Sequence, residues 1–98
     1  MSFVDNSNVS VTTNATALCT AKESRTSILI ANNGSATLYI GTTSAVTTST
    51  GTPVPEGQAH SDSGEHCYRG IWYGIVASAT LDVRVEDQYL MKVGGVAF

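Results

Sequence analysis

The chain predicts an all-β protein: an antiparallel β-sandwich, jelly-roll or immunoglobulin-like, of about seven to eight short strands with extended terminal arms. Three observations point there. Apolar residues come in short runs or alternate with polar ones, and no stretch sustains a helical stripe. Turn residues, chiefly Gly, Pro, Asn and Ser, separate these runs at short intervals. The 98 residues suit one domain and not two.

Taken in order, Met1 to Asn8 is polar apart from Phe3 and Val4 and is expected to be a loose N-terminal arm. The sandwich proper is expected over residues 9–87. Asn8 to Thr13 (NVSVTT) sets Val9 and Val11 on one face, a strand pattern. Ala15 to Ala21 carries Leu18 and Cys19 and predicts a short strand, being too short and Thr-rich for a stable helix. Ser27 to Gly41 (SILIANNGSATLYIG) is the centre of the prediction. Ile28–Ile30 and Leu38–Ile40 are apolar runs around Asn32-Asn33-Gly34-Ser35, and Asn-Gly is a strong signal for a two-residue hairpin turn of type I′. Unbroken runs of three imply strands covered on both faces.

Thr42 to Gly57 is rich in Thr, Ser, Gly and Pro and predicts a long ordered loop, pinned by Val46 and Val54. Pro53 and Pro55 hold the residues before them extended, and Pro55-Glu56-Gly57 marks a turn. Gln58 to Arg69 predicts an edge strand on each side of Ser63-Gly64. In Gly70 to Ala77 (GIWYGIVA), Gly74 signals a bulge or a close backbone approach. Trp72 and Tyr73, being adjacent, must point to opposite faces of a strand. Thr80 to Asp87 (TLDVRVED) alternates cleanly, with Leu81, Val83 and Val85 inward and Asp82, Arg84 and Glu86 outward. Residues 88–98 (QYLMKVGGVAF) are apolar around Gly94-Gly95. They form either a last strand on their own domain or an arm that packs on a neighbouring subunit.

Composition narrows the function classes. Leu, Ile, Val and Phe number 22, so few large side chains fill the core, and self-association is a natural source of further burial. Ser and Thr number 24 against 13 charged residues, giving a neutral polar surface. The five basic residues are scattered at Lys22, Arg25, Arg69, Arg84 and Lys92 and build no nucleic-acid patch. No apolar run reaches transmembrane length, and the first residues lack the basic and apolar regions of a signal peptide. Cys19 and Cys67 are far apart; two free thiols suit a protein made in a reducing cytosol, with a disulfide as the alternative.

Candidate chemistry is thin. His60, Asp62, Glu65, His66 and Cys67 cluster within eight positions, but the ligand spacing of a metal site is lacking, so a polar loop is expected and no metal. No G-x-S-x-G elbow and no glycine-rich phosphate loop followed by a helix occurs. No enzyme activity and no cofactor are expected.

One resemblance extends this reading. Arg25–Ile30 (RTSILI), Asn32–Ser35 (NNGS), Leu38–Gly41 (LYIG), Val46–Gly51 (VTTSTG), Pro53–Gly57 (PVPEG) and Trp72–Glu86 (WYGIVASATLDVRVE) follow one another in an order that resembles small structural proteins of tailed bacteriophages. The resemblance covers Arg25 to Glu86. It implies a virion component made in the host cytoplasm, with no catalytic role. Its best-fitting task is capsid decoration or cement, on the outside of the head shell against the major capsid protein or another virion protein. A homo-oligomer, a trimer above others, is implied, with neither nucleic acid nor membrane as partner. A tail, baseplate or head-fibre base module is the alternative. Outside the virion, the alternative is a carbohydrate-binding β domain using Trp72 or Tyr73 and the Gly41–Gly57 loop. Partner contacts are expected at Phe3 and Val4 and at Tyr89, Leu90, Met91, Val96 and Phe98.

Overall fold

The computed structural model describes residues 2–90, 92–93 and 96–97. All described secondary structure is β. The strands are β1 (Ser2–Val11), β2 (Thr16–Ala17), β3 (Arg25–Asn32), β4 (Leu38–Gly41), β5 (Thr52–Val54), β6 (Ala59–Ser63), β7 (Tyr73–Ile75) and β8 (Leu81–Leu90). They form two four-stranded antiparallel sheets, ordered β1-β8-β3-β6 and β2-β7-β4-β5. Two short strands, β9 (Lys92–Val93) and β10 (Val96–Ala97), pair with each other as a separate ladder. The sandwich class expected from the alternation is therefore present.

The core lies between the sheets. Ile28 and Ile30 of β3 and Val83 and Val85 of β8 face Leu38 and Ile40 of β4, with Val11, Leu18, Val54, Trp72, Val76 and Leu81 closing the layer. Each such aliphatic side chain contributes about 1.5–3 kcal/mol by leaving water. Val46 and Val54 are buried and anchor the long loop as expected. Gly74 makes room within its own sheet: a Cβ there would press on the Leu38 and Leu18 side chains at 3.1 and 3.3 Å, on the strand beside it and just past the end of β2. Leu81, Val83 and Val85 are buried, and the alternation of β8 holds.

The Ser27–Gly41 segment is not a hairpin. β3 sits in the first sheet, between β8 and β6, and β4 sits in the second, between β7 and β5. The chain crosses from sheet to sheet through residues 33–37, an arch over the end of the core. Asn32 explains why. Its buried side chain donates from Nδ2 to the carbonyls of Ala36 (2.7 Å) and Val54 (2.9 Å), and its Oδ1 accepts from the Gly34 N–H (3.0 Å). These bonds span the two sheets and hold the crossing closed. Gly34 is needed for space and not for a left-handed turn. Positive φ among the described residues is confined to Gly57, Gly64 and Ala79, whereas a Cβ on Gly34 would collide with the Leu81 side chain. The apolar run is not covered on both faces either: Leu29 is 37% exposed between buried Ile28 and Ile30.

Three further expectations change. Ser2 to Asn8 is no loose arm but the first part of β1, which pairs with β8 from Ser2↔Leu90 to Val11↔Leu81. Main-chain pairing does not need apolar side chains, so a polar sequence concealed the strand. Likewise Gln88 to Leu90 continue β8 and pair with both β1 and the start of β3 or its approach. Only β6 is a strand in Gln58–Arg69; the backbone after Gly64 is a loop, for a reason given below.

The arch predicts a result opposite to a hairpin turn. A type I′ turn would accept Gly34→Asn. In the arch that side chain must displace Leu81, and urea denaturation is expected to show a loss of about 1–3 kcal/mol.

Candidate interaction surface

The first sheet carries a bulge at the start of β3. The register with β8 slips between Arg25 and Ser27, which makes Thr26 the extra residue. Counting back by twos from Ile30 and Ile28 would turn Thr26 inward; the bulge turns Arg25 inward instead. Arg25 is fully buried there, beside Asp87, which is 2% exposed.

Every N–H of the guanidinium is used. Nε donates to Asp87 Oδ1 at 2.8 Å and Nη2 to Asp87 Oδ2 at 3.0 Å, a two-pronged pairing. Nη1 donates to the carbonyls of Tyr68 (3.0 Å) and Gly70 (2.8 Å), and Nη2 also to that of Thr20 (2.6 Å). Cys19 Sγ lies 3.4 Å from Nη2, and Cys67 Sγ donates to the Arg25 carbonyl at 3.4 Å. Both cysteines are free thiols. Arg25 thus binds β8 to two loops that have no ladder of their own. Leu18 N–H to Trp72 O and Lys22 N–H to Arg69 O, each 2.8 Å, then join those loops to each other. The Tyr68 and Gly70 carbonyls point at a cation, which is why this stretch is not a strand.

Around this base lies a half-exposed rim. Lys22 Nζ bonds Asp5 Oδ2 at 3.1 Å and Asp87 Oδ2 at 3.2 Å, and stands 4.6 Å from the centre of the Tyr89 ring. Burial alone would lower the Lys22 pKa. The hydrogen bonds and charges of Asp5 and Asp87 outweigh it and hold the amine above its ordinary value. Phe3 stacks at a tilt on Tyr89, ring centres 5.7 Å apart, consistent with the Phe3↔Tyr89 register. An open groove of about 510 Å³ runs between β1 and residues 17–22, with Asp5, Ser7, Cys19 and Lys22 in its walls.

The expected contact residues divide accordingly. Phe3 and Tyr89 come together on the inner face of the β1–β8 ribbon, with Phe3 38% exposed. Val4, 47% exposed, belongs to the opposite face, as does half-buried Leu90. Val96 lies in β10, opposite Val93. Met91 and Phe98 lie outside the described residues. Sequence reasoning missed Lys22, Arg25, Asp5 and Asp87. Asp87 did carry a signal, since it continues the inward row Leu81, Val83, Val85.

The polar cluster disperses. His60 is half-buried with its ring 5.4 Å from that of Trp72. Asp62 Oδ2 accepts the Tyr68 N–H at 2.8 Å. Glu65 and His66 face solvent, and Cys67 is buried. Among the described residues, no three His, Cys, Asp or Glu side chains converge as a metal site. Trp72 is buried under His60 and Tyr68, and its Nε1–H meets no acceptor among the described residues.

Two measurements check this account. Asp87→Ala leaves a buried cation uncompensated and is expected to cost about 3–5 kcal/mol in urea denaturation. The pair Arg25→Met with Asp87→Leu removes both charges but orphans three carbonyls, so stability is expected to stay at least about 2 kcal/mol below the parent. Lys22 adds a contribution that alkali removes. With its folded pKa raised, its contribution is complete below the unfolded value near roughly 10.4 and is lost as pH rises through the folded value. The melting temperature above about pH 10.4 is therefore expected to fall more steeply in the parent than in Lys22→Met.

Compared with family models, with curated proteins and with solved structures, the chain matches none.

Proposed function

We propose that this chain is a virion structural protein with no catalytic role, of the decoration or cement type. It binds the outer surface of a head shell and stabilises contacts of the major capsid protein, after synthesis in the host cytoplasm. The observation that carries this reading is the stiff, partly apolar end of the first sheet. There Phe3 and Tyr89 stack on a base held by Arg25, Asp87 and Lys22. A contact element built on paired strands loses little conformational entropy on docking. The neutral Ser/Thr surface suits dense packing of many copies, where like charges would repel. The resemblance over Arg25 to Glu86 supports the same setting. The carbohydrate-binding alternative needs a presented aromatic platform; Trp72 is instead packed beneath Tyr68 and His60, and Tyr73 is half-buried in β7.

Immunogold electron microscopy of particles from the virus that encodes the chain tests this. Label on the head is expected. Label on the tail or baseplate replaces this reading with the tail-module alternative, and particles without label contradict both. Phe3→Ser is expected to weaken head binding about tenfold, the equivalent of 1.4 kcal/mol, while shifting the melting temperature by less than about 4 °C.

A further inference from the structure

We propose that the free edge of β1 pairs with the same edge of a second copy of this chain. The pairing is antiparallel about a two-fold axis through Asn6, and it joins two four-stranded sheets into one of eight strands. This concerns the isolated chain and does not rest on the virion reading. It sets a two-fold pairing in place of the three-fold arrangement that the resemblance implies.

The argument begins with edges. Among the described residues, each sheet leaves two strands unpaired on one side: β1 and β6 in the first, β2 and β5 in the second. An unpaired edge is a template for another strand, and proteins blunt such edges by shortness, proline or inward charge. β2 has two residues, and β5 has three, one of them Pro53. β6 has five and turns His60 and Asp62 to the inner face, opposite Ile30 and Ile28. Of these protections β1 has one inward charge, Asp5, opposite Asp87 and paired with Lys22. It is ten residues long and regular in register along all of them, without Pro, Lys or Arg. Residues 3 to 8 and Ser10 are exposed.

The sequence of β1 favours itself as partner. Its one charge, Asp5, is matched by Lys22 at 3.1 Å, so two copies approach without strong repulsion. In a closed two-fold pair each contact occurs twice. With the axis at Asn6, Phe3 meets Val9 of the second copy, Val4 meets Asn8, Asp5 meets Ser7, and Asn6 meets Asn6. Aromatic against β-branched and polar against polar are favourable cross-strand pairs. Moving the axis to Ser7 sets Asp5 against Val9, and moving it to Asp5 opposes two carboxylates.

Sedimentation equilibrium of the intact chain tests the pairing, and the expected result is a mass twice that of the 10.2 kDa chain. The double variant Val4→Asp with Asn8→Asp faces acid with acid at both Val4–Asn8 contacts and is expected to weaken the dimer at least about hundredfold. Val4→Lys with Asn8→Asp faces ammonium with carboxylate and is expected to restore it. Within one chain Val4 lies opposite Gln88 and Asn8 opposite Arg84, so neither variant opposes like charges in the monomer. Circular dichroism and melting confirm that both fold. Asn6→Cys, at the axis, is expected to form an intermolecular disulfide on mild oxidation, since paired Cα atoms about 4.5–5.5 Å apart lie within bonding range. A parent that stays at single-chain mass up to about 100 μM overturns the proposal and leaves the edge to a strand of another protein. Two charge variants that associate equally overturn it as well.

Discussion

The structure depends on one buried ion pair, Arg25 with Asp87. A guanidinium in an apolar layer is costly unless every donor finds an acceptor. Here all five N–H groups do, on one carboxylate and three main-chain carbonyls. The acceptors come from β8 and from the two loops around Thr20 and Tyr68–Gly70. One side chain therefore ties to β8 two segments that lie outside the strand ladders. That matters in a chain with only 22 Leu, Ile, Val and Phe residues. The usual finding that a buried pair can be exchanged for apolar residues does not carry over, because the carbonyls would remain unmet.

The fold class was legible because alternation is a local property. Leu81, Val83 and Val85 announce their face, and Val46 and Val54 announce a pinned loop. The pairing of strands was not legible, because it is not local. Asn33-Gly34 signals a hairpin equally well when Gly34 is there to clear Leu81 and Asn32 to tie two sheets together. Leu29 belongs to an apolar run yet faces solvent. Arg25 was hidden by the bulge, which shifts the inward row by one residue. Asp87 stood in that row, but a charge at the end of a strand looks like a solvated terminus. Of the expected contact residues, Phe3 and Tyr89 meet, whereas Val4 belongs to the other face.

These features divide the molecule into a base and its periphery. The Arg25 hub and the Asn32 arch sit at the two ends of β3, which therefore carries polar locks at both termini of its apolar middle. β1, on the far side of β8 from β3, carries little burial of its own, with seven of its residues exposed, and takes its order from β8. A strand held straight on one side and open on the other is suited to meet a partner. In both the virion reading and the proposed self-pairing, contact elements are attached to a scaffold that does not have to reorganise.

The central claim is that Arg25 is locked inside the fold, and proton exchange at its side chain tests this most directly. Nitrogen-15 NMR resolves the Arg25 Nε–H from those of Arg69 and Arg84. The account predicts that this proton exchanges with water orders of magnitude more slowly than in the two exposed arginines, with a protection close to that of the β3 and β8 amides. Exchange at the rate of Arg69 and Arg84 would contradict it.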